Sequence, residues 1–186
     1  ITNSLYEAND IYNRLLNYTD KVLFFPMDDF ITSEVTDISP EFVIDRLTTL
    51  NKLLGNGKYI VVTNLMGILR YLPSTKLYKN KIIDINKDMD IDRDDFINKL
   101  FDLGYEKVPV VSRTGEMAIR GYVIDIFPIE FDNPIRIEFW GDTIDSIKYF
   151  DLEDQISNTS VDSVKIYPYT EFLIDGKIED NITRKQ

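Results

Sequence analysis

Apolar residues recur along this chain with two spacings, a helical one of about 3.6 residues and a strand one of about two, and these divide it into elements. From Ser4 to Tyr18, Leu5, Ala8, Ile11, Leu15 and Leu16 keep helical spacing while Glu7, Asp10, Asn13, Arg14 and Asn17 fall between them, which predicts an amphipathic helix. Val22–Phe25 is a continuous apolar run closed by Pro26, the pattern of a strand buried on both faces. Ser39-Pro40-Glu41 offers an N-cap, a Pro at the first helical position and an acid near the positive end of the dipole. The helix it opens runs through Phe42, Asp45, Leu47, Leu50, Leu53 and Leu54 to Gly55 or Gly57. Tyr59–Thr63 then predicts a β-branched strand, followed by a short helix through Leu65, Met66, Leu69 and Leu72 that stops at Pro73. Alternating helices and strands of this kind build a parallel α/β sheet.

Ser74 to Asn80 is polar and Lys-rich and reads as a passage into a second unit. Lys81–Asn86 predicts a strand. Asp90 or Asp92 caps a helix with Phe96, Ile97, Leu100, Phe101 and Leu103 on its apolar side and Gly104 at its end. After Val108–Val111 and a turn at Arg113–Glu116, two strands follow, Met117–Pro128 and Ile135–Trp140, and Gly141-Asp142 turns the second into Ile144–Phe150. In the second strand Ile135, Ile137 and Phe139 share one face, so Arg136, Glu138 and Trp140 share the other. With Arg120 and Tyr122 alternating on the neighbouring strand, the outward face collects Arg120, Tyr122, Arg136, Glu138 and Trp140. Trp and Arg are the types most enriched at the energetic centres of interfaces. The competing reading makes Trp140 and Tyr122 core residues and pairs Arg120 and Arg136 locally with Glu138, Asp125 or Glu116. Val164–Tyr167 predicts a last strand returning to the first unit, and residues from Asp175 onward are polar and end near the surface.

Composition narrows the chemistry. The 186 residues include neither Cys nor His, which removes disulfides, thiolate and imidazole catalysis, and Cys- or His-ligated metals. A net charge of −11 opposes direct binding to nucleic acid, which needs Lys and Arg to displace counterions. No phosphate-binding loop occurs, and Gly55-Asn-Gly57-Lys58 precedes a strand instead of following one. The acidic run Asp88–Asp95 begins like a calcium loop, but Arg93 stands where Gly is needed and Lys99 where the bidentate Glu belongs, so it reads as a capped, solvated face. Asp28-Asp29 beyond the Phe-rich strand reads as a surface turn, and the triplets at Asn17, Asn158 and Asn181 as ordinary loop and helix-end residues. No catalytic, cofactor-binding or metal-binding residue is therefore assigned. No apolar run is long enough for a membrane span, and Ile1 in place of an initiator Met points to a piece of a longer protein.

The string Gly104-Tyr-Glu-Lys-Val-Pro-Val-Val-Ser-Arg-Thr-Gly-Glu-Met-Ala-Ile-Arg-Gly-Tyr-Val-Ile-Asp-Ile-Phe-Pro128, continued by Pro134–Ile147 and Phe150-Asp151, resembles the UvrB-like module of bacterial transcription-repair coupling factors (Mfd). The Arg-Gly-x-x-x-Asp-Ile-Phe-Pro motif is shared with the excision nuclease subunit UvrB, which is the alternative. Val22–Pro26, Ser39-Pro40 with Arg46-Leu47 and Leu50, and Ile60–Thr63 resemble the coupling factors, and no aromatic-rich hairpin of the UvrB kind is present. The resemblance covers essentially the whole chain. It implies α/β architecture: a truncated, degenerate helicase-like (RecA-type) parallel domain, 1–76 and 161–186, with an inserted smaller α+β domain on an antiparallel sheet, 77–160. It implies a non-catalytic, cytoplasmic module whose inserted domain binds the damage sensor UvrA through Arg120, Arg136 and Trp140, the last a position usually held by Phe. Tyr122 and Glu138 complete the candidate face. DNA, RNA polymerase, ATP and Mg would engage other parts of the full-length protein, an ATP-driven translocase.

Overall fold

The computed structural model describes residues 1–29 and 39–173. The chain divides into two units, 1–72 and 73 onward, ahead of the boundary at residue 76 read from the sequence.

In the first unit, helix α1 (Leu5–Leu16) starts at Ser4, whose hydroxyl accepts the Glu7 N–H. Asp29, at the far end of strand β1 (Val22–Phe25), adds a second cap: its carboxylate takes the Leu5 N–H at 2.8 Å and the Asn64 amide at 2.8 Å. The predicted surface turn is thus a polar clasp. All four β1 residues are buried, and β1 pairs in parallel with β2 (Ile60–Thr63). Ala8, Val22, Phe24 and Val62 form the core here, with Tyr12 stacked on Phe24 at 4.8 Å. From helix α2 (Pro40–Leu53), Thr49 donates to the Phe24 carbonyl and Arg46 to the Pro26 carbonyl, so polar side chains satisfy the end of β1. The short α3 (Leu65–Ile68) is capped by Asn64.

The second unit opens on a helix, in a segment that reads from sequence as a linker. Ser74 caps α4 (Thr75–Lys81), and Tyr78 is its one buried residue, too sparse an apolar signal to betray a seven-residue helix. Next come β3 (Ile83–Asn86), α5 (Arg93–Asp102), capped by Asp92, and the two-residue β4 (Glu106–Lys107). The remaining strands are β5 (Glu116–Arg120), β6 (Val123–Ile126), β7 (Ile135–Trp140), β8 (Thr143–Phe150), β9 (Ser157–Ser160) and β10 (Ser163–Ile166). Strands β4 to β9 form one six-stranded sheet in chain order, antiparallel except for β4 beside β5. The polar Ser157–Ser160, which contains the Asn158 triplet, is an edge strand and not a loop. Val164–Tyr167 does not return to the first unit: β10 pairs antiparallel with β3, Val164 opposite Ile85. Short apolar strands carry no label for their partner, and here the partner lies about eighty residues upstream in the same unit.

The sheet packs one face against α5. Ile124, Ile126, Ile135, Ile137, Phe139, Ile144 and Ile147 meet Phe96 and Leu100, with the Phe96 and Phe139 rings 6.0 Å apart. The acidic run serves local structure, since Asp92 accepts the Asp95 N–H and Asp90 accepts the Thr143 hydroxyl.

Candidate protein-docking face

Strand alternation fixes which side chains leave the core. Across β6, β7 and β8 the pairs Ile124↔Ile137 and Ile137↔Ile147 are buried, so the adjacent rows Asp125↔Arg136↔Lys148 and Val123↔Glu138↔Ser146 face the opposite way. Two hairpin turns finish the face at one end. Each is a two-residue loop with Gly first, Gly121-Tyr122 and Gly141-Asp142, and φ of +59° and +63° at the glycines suits the turns that match strand twist. The first turn splits the predicted strand Met117–Pro128 into β5 and β6, because Gly121 takes a left-handed φ. Tyr122 therefore stands in the loop and not in alternation with Arg120 on one strand; it is 65% exposed, and the second turn follows Trp140, 83% exposed. The carbonyl of Tyr122 accepts the Phe139 N–H at 2.8 Å, which ties the two hairpins together beside the aromatic residues.

Behind the aromatics is a charged cluster centred on Asp125, whose side chain is 1% exposed. Arg136 grips it through Nε and Nη2 at 2.7 and 3.0 Å, and Arg120 bonds the same carboxylate through Nη2. Arg136 also donates to the Gln155 carbonyl at 3.2 Å and lies 4.7 Å from the centre of the Phe150 ring. The Asp125 hydrogen bonds hold the Arg136 guanidinium more firmly protonated than usual. Glu138 accepts from Lys148 at 2.7 Å and from the Ser146 hydroxyl, and those bonds keep its carboxyl below the ordinary range. Lys148 and Ser146 are therefore part of the face, and Phe150 with Ala118, Phe127 and Val111 forms a small apolar floor at its other end.

All five predicted residues lie on this face, but in different roles. Trp140 and Tyr122 stand in solvent, contrary to the reading that buries them, and Arg120 is half exposed. Arg136 is mostly covered, and both arginines pair locally with Asp125, in agreement with the competing reading for the arginines. Of the three partners that reading offers, Asp125 is the one used, set in register opposite Arg136. The residues of the face that sequence reasoning does not single out are Lys148 and Ser146, whose signal is their place in register opposite Arg136 and Glu138. Away from the face, Asn17 is the C-cap of α1, while the Asn181 triplet and the residues from Asp175 lie outside the described residues. Among the described residues no group of three acidic side chains is placed to hold a metal ion, and no helix is long and apolar enough to cross a membrane.

Residues 83–172 match the family described as the UvrB interaction domain. Over 180 residues, 96% of the chain, the sequence is 37% identical to the transcription-repair-coupling factor of Staphylococcus haemolyticus and 36% identical to that of a bovine strain of Staphylococcus aureus. It is 35% identical over the same share to that of Staphylococcus epidermidis. The chain spans about 15% of the length of each of these relatives.

Proposed function

We propose, from the match of residues 83–172 to the UvrB interaction domain family within a chain that aligns over nearly its whole length with bacterial transcription-repair coupling factors, that it is a non-catalytic docking module that recruits UvrA in nucleotide excision repair. The observation that carries the proposal is the exposed pair Trp140 and Tyr122 beside the half-exposed Arg120, on a sheet whose other face is fully used by the core. Exposed aromatics cost the free domain solvation, and covering them with an apolar recess of a partner recovers it. Arg120 adds a charged donor for a carboxylate at the rim of that recess.

In the same reading the first unit is part of a degenerate helicase-like domain. The full-length protein would be an ATP-driven, Mg-dependent DNA translocase in the bacterial cytoplasm, meeting RNA polymerase and DNA through parts outside this chain. The test is a calorimetric titration of the chain with UvrA, alongside a titration with damaged duplex DNA at low and high salt. The docking reading expects saturable binding to UvrA and none to the duplex. Duplex binding with a steep salt slope, and no binding to UvrA, would replace it with a DNA-contacting role of the UvrB type.

A further inference from the structure

The two arginines of the face are not equivalent. Arg136 spends Nε and Nη2 on the two oxygens of Asp125 and Nη1 on the Gln155 carbonyl, lies against the Phe150 ring, and leaves 17% of its side chain exposed. Arg120 reaches the same carboxylate through Nη2 alone and leaves 46% of its side chain exposed. A guanidinium has five N–H donors, so Arg120 keeps most of its hydrogen-bonding capacity for solvent or a partner. One carboxylate also cannot neutralise two guanidinium groups. Because Glu138 is matched by Lys148, the cluster keeps one surplus positive charge, and the arginine that meets solvent is Arg120.

Resting on the docking reading above, we propose that Asp125 is the positioning residue of this face. It holds Arg136 under the surface as a strut and directs Arg120 outward, so that the partner's carboxylate meets Arg120 between Tyr122 and Trp140 and does not meet Arg136. The partner surface that fits is a carboxylate at the edge of an apolar recess. Removing the strut acts on binding only through Arg120: without Arg136, Asp125 has Arg120 as its one cationic partner and draws it inward.

A double-mutant cycle separates the roles. The full chain and its Arg120→Ala, Arg136→Met and doubly substituted variants are titrated with UvrA, each first checked for cooperative thermal unfolding. Met keeps an apolar stem against Phe150 and removes the donors. Arg120→Ala should weaken binding about tenfold or more, as a hot-spot contact does. Arg136→Met should weaken it several-fold in the parent, and by less than about twofold once Arg120 is gone. An equal loss from Arg136→Met in both backgrounds would show that Arg136 touches UvrA directly, and overturns the proposal while leaving the docking reading intact. Should Arg136→Met fail to fold, Asp125→Asn in the two backgrounds poses the same cycle with the same overturning result. Absence of UvrA binding by the parent chain removes the docking reading, and this proposal with it.

Discussion

Trp140 is the sharpest place to test the face, because it is the only Trp in the chain and 83% of it is in solvent. An aromatic side chain of this kind can bury on the order of 200 Å². At about 25 cal/mol per Å² that is about 5 kcal/mol of gross stabilisation when a partner covers it. Fixing the side chain costs about 1 kcal/mol, and the Ala that replaces it retains some contact, which leaves about 2–4 kcal/mol for Trp140→Ala. Binding to UvrA should therefore weaken by about 30-fold or more. Stability should move by no more than about 0.5 kcal/mol, since an exposed side chain leaves no cavity behind. Urea unfolding reads the second quantity and calorimetric titration the first. The single Trp supplies an independent signal: its emission, measured against the UvrA background, should shift to the blue as the complex forms. Unchanged affinity in Trp140→Ala, or emission that stays solvent-like at saturation, would refute the reasoning.

Three further outcomes follow from contacts elsewhere in the second unit. Asp125→Ala strands Arg136 under the surface without its counter-charge and should cost about 3 kcal/mol in urea unfolding; a change below about 1 kcal/mol would mean that the cluster is solvated. Tyr105→Phe removes the hydroxyl that donates to the Tyr167 carbonyl at 2.9 Å and should cost about 1–2 kcal/mol, checked by thermal unfolding. Glu116 is pushed up by burial, but the N–H and hydroxyl of Ser112 and the N–H and side chain of Arg113 outweigh this and leave its carboxyl below the ordinary value. A carboxylate depressed in the folded state contributes stability that is present above its unfolded value of about 4.3 and lost as pH falls through the folded value. The stability difference between the parent and Glu116→Gln should thus be constant above about pH 5 and shrink on acidification, whereas growth in acid would contradict the sign.

The parts of this molecule that could be read from sequence are those where one face of an element is committed to the core. Ile135, Ile137 and Phe139 alternate so regularly that the outward side of β7 follows from them, and Gly141-Asp142 announces its turn, whereas the apolar run on both sides of Gly121 hides a second turn inside what reads as one strand. Legibility fails where the apolar signal is weak or the partner is distant. Helix α4 buries only Tyr78, and the edge strand β9 is Ser-Asn-Thr-Ser, so neither has a pattern to find. The pairing of β10 with β3 depends on tertiary packing across about eighty residues. The division of labour between Arg120 and Arg136 is hidden for another reason. It depends on the register that sets Asp125 opposite Arg136 and on the loop that brings the Gln155 carbonyl beside it, and residue types alone record neither.

The alternation along β7 also separates two kinds of evolutionary freedom. Positions 135, 137 and 139 answer to the fold, while 138 and 140 on the same strand, joined by 120 at the end of β5 and 122 in the first turn, answer to whatever surface the sheet meets. Since inward and outward positions alternate on one strand and point to opposite sides of the sheet, the outward letters can be rewritten without disturbing the inward ones. Randomising those four outward positions on an unchanged Ile-Ile-Phe core would turn the sheet into a scaffold for new partners, its rim held in shape by the two glycine turns.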